Sequence, residues 1–318
     1  MSKEPEKMIS AFNKYIEENG GGNIGDIKDK RQLKSILHDF ISSGNYPKDL
    51  KPSEENAETA NDFMELAGFA PTKKEAQRLI KKALELEPQN IDALYMKAKL
   101  TATTPEKFAD KCKSILNKAE KTMKSEGYFD EENIGNFWLI LETRPYMRVF
   151  DGYASTLAEC GQFRLAAEAY KKMLKLCTGD NLGARYRLMH IYAHFEDEQP
   201  ALELYNAYPE EESTQFLLPM SILYYKLGNY DEAAEYLKKL CKINKDTADF
   251  FSLILEDDQE EIMYRLEGID STGYEIDTLD EFIYESAENT YLFAASTAYF
   301  EWGWQKIREI MRKENPAK

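Results

Sequence analysis

A spaced pattern of small residues, aromatics and glycines recurs through the middle of this chain, and it constrains the fold more than any other feature. One copy reads Tyr153-Ala154-x-x-Leu157-x-x-x-Gly161-x-Phe163-x-x-Ala166-x-x-x-Tyr170. Another reads Met220-Ser221-x-x-Tyr224-x-x-x-Gly228-x-Tyr230-x-x-Ala233-x-x-x-Leu237. Between them lie Leu188-Met189-x-x-Tyr192, a short acidic turn and Ala201-x-x-x-Tyr205. The small residues at 166, 201 and 233 stand 35 and 32 positions apart. A half-unit, Ala76-x-x-x-Ile80-x-x-Ala83-x-x-x-x-Pro88, precedes them. A small residue lets a second helix approach closely, an aromatic fills the space beside it, and glycine permits the sharp turn between them. One such pair cannot bury its own apolar face, so pairs must stack.

Elsewhere, too, apolar residues recur at three and four positions, and alternation of period two is scarce. Strong helix formers fill Thr72–Glu87, Pro105–Lys124, Gln162–Leu176 and Tyr230–Ile243. Breaks are expected at 44–47, 87–90, 178–181 and 228–229. Pro105 suits a first helical turn, and Thr278-x-x-Glu281 has capping-box spacing. The glycines of 20–25 read as a joint between two helices; they lack the Gly-Lys-Ser/Thr ending of a phosphate loop. Phe250–Leu255 reads as a buried helix, Gly268–Gly273 as a loop, and the aromatics from Phe282 to Trp304 as a final pair of helices. The expected fold is all-α. An N-terminal helical extension spans 1–52, helical repeats span 53–245, and acidic capping helices span 246–318.

The repeat period and residue order resemble the tetratricopeptide repeat (TPR) family, whose period is about 34 residues. A longer likeness, over Ala76 to Trp304, is to a group of soluble bacterial repeat proteins and, distantly, to the suppressor-of-tumorigenicity family. It rests on Ala83–Pro88, Gly135-Asn136-Phe137-Trp138, Glu142-Thr143-Arg144-Pro145-Tyr146-Met147-Arg148 and Gly179-Asp180-Asn181-x-Gly183-x-Arg185-Tyr186. The resemblance implies an α-solenoid of TPR-like helical hairpins with atypical terminal caps, used for protein contacts. It implies no established activity; the chain is expected not to be an enzyme.

Composition narrows the function classes. The chain has 318 residues, 57 acidic against 41 basic, for a net charge of −16. That balance argues against a general nucleic-acid binder, which needs a basic face. No apolar run reaches the roughly 20 residues of a membrane span. The charged start has no apolar signal segment, and four scattered cysteines form no C-x-x-C pair, so a cytoplasmic setting is expected. Neither cofactor nor metal is expected. From Asp246 to Lys318 there are 18 acidic and 6 basic residues. This excess is either a solvated surface or an acidic end that docks on a basic surface, in which case it could fill a groove and inhibit it.

In TPR-like solenoids the first helix of each pair lines the concave side. The stripe opposite the small core residues carries Arg148, Asp151 and Ser155, then Gly183, Tyr186, Arg187, His190 and His194, then Gln215, Ile222, Tyr225 and Lys226. A basic, aromatic stripe in an acidic protein favours a partner protein or an acidic, carboxylate-bearing peptide, with arginine forks giving directed hydrogen bonds. The alternative is that Arg144 and Arg148 pair with Glu142 and Asp151 and only fasten helices together. His190 and His194, at i and i+4, open a competing class: a metal-dependent enzyme or regulator using Glu196 or Asp197 as a third ligand. The glutamate of a zinc protease motif is missing between them. No catalytic residue is assigned.

Overall fold

The computed structural model describes residues 11–12, 14–18, 36–40, 53–54, 57–209 and 212–314. The named elements in these residues are all helices, with only isolated bridges joining Cys177 to Gly135 and Asn136. The protein is all-α. The glycine-rich stretch 20–25 and the break at 44–47 lie outside the described residues. The chain divides into two compact units: Met1–Thr122 with Leu139–Val149, and Met123–Trp138 with Phe150–Lys318.

The first unit holds α1 (Ala60–Gly68), α2 (Lys73–Leu86), α3 (Ile91–Thr101) and the start of α4 (Pro105–Ser125). Each begins where a side chain takes up an otherwise orphaned N–H. Thr59 and Asp62 form a reciprocal capping box. Thr72 accepts from Glu75 N–H at 3.2 Å, Asn90 from Ala93 at 2.9 Å and Thr104 from Lys107 at 3.3 Å. The half-unit read from Ala76 to Pro88 is therefore α2, with Thr72 and Glu87 as its caps. Its apolar stripe, Leu79, Ile80 and Ala83, is buried against Phe63, Met64 and Ala67 of α1 and Ala93 of α3. Burying each large aliphatic side chain contributes about 1.5–3 kcal/mol. A separate cluster joins Phe12, Ile16 and Phe40, with the two phenylalanine rings 5.2 Å apart.

In the second unit, α5 (Arg144–Glu159), whose start belongs to the first unit, is followed by α6 (Phe163–Leu176), α7 (Ala184–Phe195) and α8 (Glu198–Ala207). Next come α9 (Thr214–Lys226) and α10 (Tyr230–Ile243). Helix α7 packs on α6, α8 and α9, and α9 packs along α10. Ala154, Ala166, Ala201, Ser221 and Ala233 have no exposed surface, as close helix approach demands. Gly161 and Gly228 turn the hairpins with φ of +71° and +76°, a left-handed region that glycine enters without strain. Asp180 starts α7. Its carboxylate accepts from the N–H groups of Ala184 and Arg185 at 2.8 and 2.9 Å and pairs with the Arg185 guanidinium at 2.9 Å.

The last five helices are α11 (Thr247–Glu256), α12 (Gln259–Thr272), α13 (Leu279–Glu288), α14 (Thr290–Ala294) and α15 (Thr297–Glu314). Helix α15 packs on α10 and α11, α13 on α9 and α11, and α14 on α7. Phe250, Phe251 and Phe282 are fully buried, and Phe250 stacks on Phe282 at 4.5 Å.

Two local expectations fail here. Gly268 lies inside α12, because its neighbour Ile269 is buried and anchors another turn. The helix stops instead at Gly273, with φ +79°. Thr278 does not cap α13: its hydroxyl donates to Glu275 O, while Glu281 accepts from Asp277 N–H at 2.8 Å.

Candidate functional site

The stripe residues do not all meet. Arg148, in the first unit, grips Asp92 of α3 with two hydrogen bonds of 3.0 and 2.7 Å. This fork fastens α5 to α3, with Asp92 in the role expected of Glu142 or Asp151. Nothing in sequence spacing marks Asp92, which stands 56 positions away.

In the second unit Asp151, Ser155, Arg187, His190 and His194 come together. Arg187 Nη1 donates to Asp151 at 2.8 Å and to Ser155 Oγ at 3.2 Å. The Ser155 hydroxyl donates back along α5 to Asp151 O at 2.9 Å, and Tyr170 OH reaches Ser155 at 3.4 Å. Arg187 Nη2 lies 3.8 Å from Glu288, at the end of α13. The acidic neighbours, Asp151 foremost, hold the guanidinium protonated against its burial, which pulls the other way.

His190 is fully buried. Its Nδ1 lies 2.8 Å from Tyr186 O, a carbonyl that can only accept, so Nδ1 carries a hydrogen. Its Nε2 lies 2.6 Å from Glu285 Oε1, and both side chains are 1% exposed. Close as they are, His190 Nε2 and both Glu285 oxygens are buried without a hydrogen bond of good geometry, a state that costs on the order of 1–3 kcal/mol per group.

His194 sits one turn further on, among Phe163, Tyr291 and Phe195, with ring centroids 5.1, 5.2 and 5.4 Å away. Burial, reinforced by nearby Lys226, pushes its pKa below the usual imidazole value. Lys226 donates to the last carbonyls of α7, Ala193 O at 3.0 Å and His194 O at 2.6 Å, and so neutralises the negative end of that helix. Tyr225 packs against Trp302 and Tyr299 at 5.2 and 5.5 Å. Tyr186 packs on Phe216 at 5.6 Å, with the Arg185 guanidinium 4.1 Å over its ring. Both rings consolidate helix contacts.

The wall exposed by α7 and α9 is therefore lined, and largely covered, by the chain's own acidic end. A cavity of about 460 Å³ remains beside it, reached between α5, α6, α7 and the α13–α14 junction. Phe163, Tyr170 and Tyr291 supply aromatic wall; Ser155 and Arg187 lie deeper; Glu159, Glu288 and Thr290 stand at an exposed rim. Sequence reasoning missed Glu285, Glu288, Phe163, Tyr170 and Tyr291 as members of this site. The acidic excess after Asp246 was the one signal pointing toward the glutamates.

His190 Nδ1 is committed to Tyr186 O, and Nε2 faces Glu285. Among the described residues no group of three His, Cys, Asp or Glu side chains is placed to hold a metal ion. No helix among them is long and apolar enough to cross a membrane.

No curated protein matches the chain. Residues 220–247, comprising the second half of α9, the Gly228 turn and all of α10, match the family model of the tetratricopeptide repeat, which supports that family for this protein.

Proposed function

We propose that the second unit is a non-enzymatic protein-interaction scaffold that takes a segment of a partner protein into the concavity bounded by α5, α6, α7 and α13–α14. TPRs generally mediate protein–protein contacts. The observation that carries the reading is the 460 Å³ opening on the inner side of the hairpins, which the capping helices leave unfilled. Pockets of about 300–1,000 Å³ with mixed apolar and polar walls are where side chains and small ligands are held. The thiol of Cys112, pushed up to about 12 by burial, offers little thiolate for nucleophilic chemistry. The test is a hydrogen-exchange footprint of the full chain in complex with a captured partner. Slowed exchange should fall on 155–163 and 287–291. A footprint confined to α1–α3 would contradict the reading.

A second reading has its own support in Arg187 and His190, which already hold acidic groups. An acidic peptide could take the places of Glu285 and Glu288. It would have to lift α13, whose Phe282 and Ile283 are buried. That event would show as faster exchange in α13 on binding, the opposite of the primary expectation.

A further inference from the structure

The open pocket is built for charge of the sign opposite to that of the acidic ligand suggested by the stripe. Among the described residues lining it, Arg187 is the one cation, and its guanidinium is engaged by Asp151 at 2.8 Å and Ser155 at 3.2 Å, with Glu288 at 3.8 Å; Asp151, Glu159 and Glu288 together outnumber it. Glu159 and Glu288 flank the opening, and the Glu288 side chain is 46% exposed. The other nearby bases are turned elsewhere: Lys226 toward the α7 carbonyls, and Arg164 over the Phe195 ring at 5.9 Å. Three aromatic rings line the same pocket. Phe163 and Tyr291 lie 4.4 Å apart at 44°, and Tyr170 forms the deeper wall. Ring faces attract cations, and acids at the mouth add to that attraction while repelling carboxylates.

Resting on the docking reading above, we propose that this pocket takes a protonated amine or guanidinium, presented by a lysine or arginine side chain of the partner. The aliphatic stem lies against the rings and the charged head stays near Glu159 and Glu288, as long basic side chains arrange themselves at half-buried sites. Thr290 offers a hydroxyl oxygen as an acceptor. An anion entering here would meet two carboxylates and a guanidinium whose charge Asp151 already balances.

The test uses the full-length chain and three small probes followed by NMR: N-acetyl-lysine methylamide, the uncharged norleucine analogue and the glutamate analogue. The lysine probe should shift resonances of Phe163, Arg187 and Tyr291 and saturate at roughly three-fold lower concentration than norleucine. The glutamate probe should leave them unmoved. Replacing both acids, Glu159→Gln with Glu288→Gln, should abolish the preference for lysine over norleucine without loss of helicity, since both side chains are exposed. Equal saturation by norleucine, stronger saturation by glutamate, or no shift at these residues with the lysine probe would each overturn the proposal. If the lysine probe fails while a captured partner still protects 287–291, the cation preference falls and the docking reading stands. If the probe binds but partner footprints lie elsewhere, the docking reading falls and the cation site stands.

Discussion

At the scale of single residues, burial decides which charges are available and which are already committed. Arg148, Arg187, His190 and Lys226 all read alike in the sequence as basic groups on one stripe. In the structure each has a different partner: Asp92, Asp151, Glu285 and the end of α7. That they stand on helices was legible from the three-and-four spacing. Their partners were not, because ion pairs join residues far apart in sequence and leave no periodic trace. Two predictions belong here. The neutral form of His194 is favoured in the folded state, whereas an unfolded chain protonates it near 6.5. Its contribution to stability is therefore full above that pH and is lost as pH falls below it toward the lowered folded value. Urea midpoints measured between pH 7.5 and pH 5.5 should drop less in His194→Gln than in the native chain. Asp180→Ala removes two hydrogen bonds that start α7 and strands Arg185; we expect a loss of about 1–2 kcal/mol in urea unfolding, with Asp180→Asn milder.

At the scale of elements, helix positions followed from periodicity and caps. Thr72–Glu87 and Tyr230–Ile243 were readable almost to the residue, because N-caps and apolar stripes are local signals. The failures at Gly268 and Thr278 have a shared cause. Glycine and threonine were read as stop and start signals, but the burial of Ile269 and the local hydrogen bond from Asp277 N–H to Glu281 outweighed them. Gly303 in α15 shows the converse, a glycine whose role only packing reveals. A Cβ there would stand 2.5 Å from a ring carbon of fully buried Phe251. Gly303→Ala gains about 1 kcal/mol of helix propensity, yet overpacking costs about 1–3 kcal/mol. We expect net destabilisation, relieved when Phe251→Leu is added, as read by thermal melts of the two variants.

At the scale of the whole chain, the repeat was the most legible feature and the acidic end the least. The small residues at 166, 201 and 233 are fully buried, as stacking requires. The charge imbalance after Asp246 hinted at a docked acidic segment. It could not say that α13 would enter the core through Phe282 and Ile283 and so become a fixture of the second unit. Phe282→Ala should accordingly cost about 3–5 kcal/mol in urea unfolding, the loss expected of a core aromatic. A loss below about 1 kcal/mol would mean a loosely held segment.

The chain's own acidic helix α13 closes over α7, and the contact between His190 and Glu285 lies at the centre of that closure. A double-mutant cycle with His190→Phe and Glu285→Met measures that contact directly by urea unfolding. Each single change should cost about 3–5 kcal/mol by leaving a buried polar partner alone, and the double should cost less than their sum by at least about 1.5 kcal/mol. Additivity within about 0.5 kcal/mol would show that the two side chains do not meet, and the arrangement of the site would be wrong.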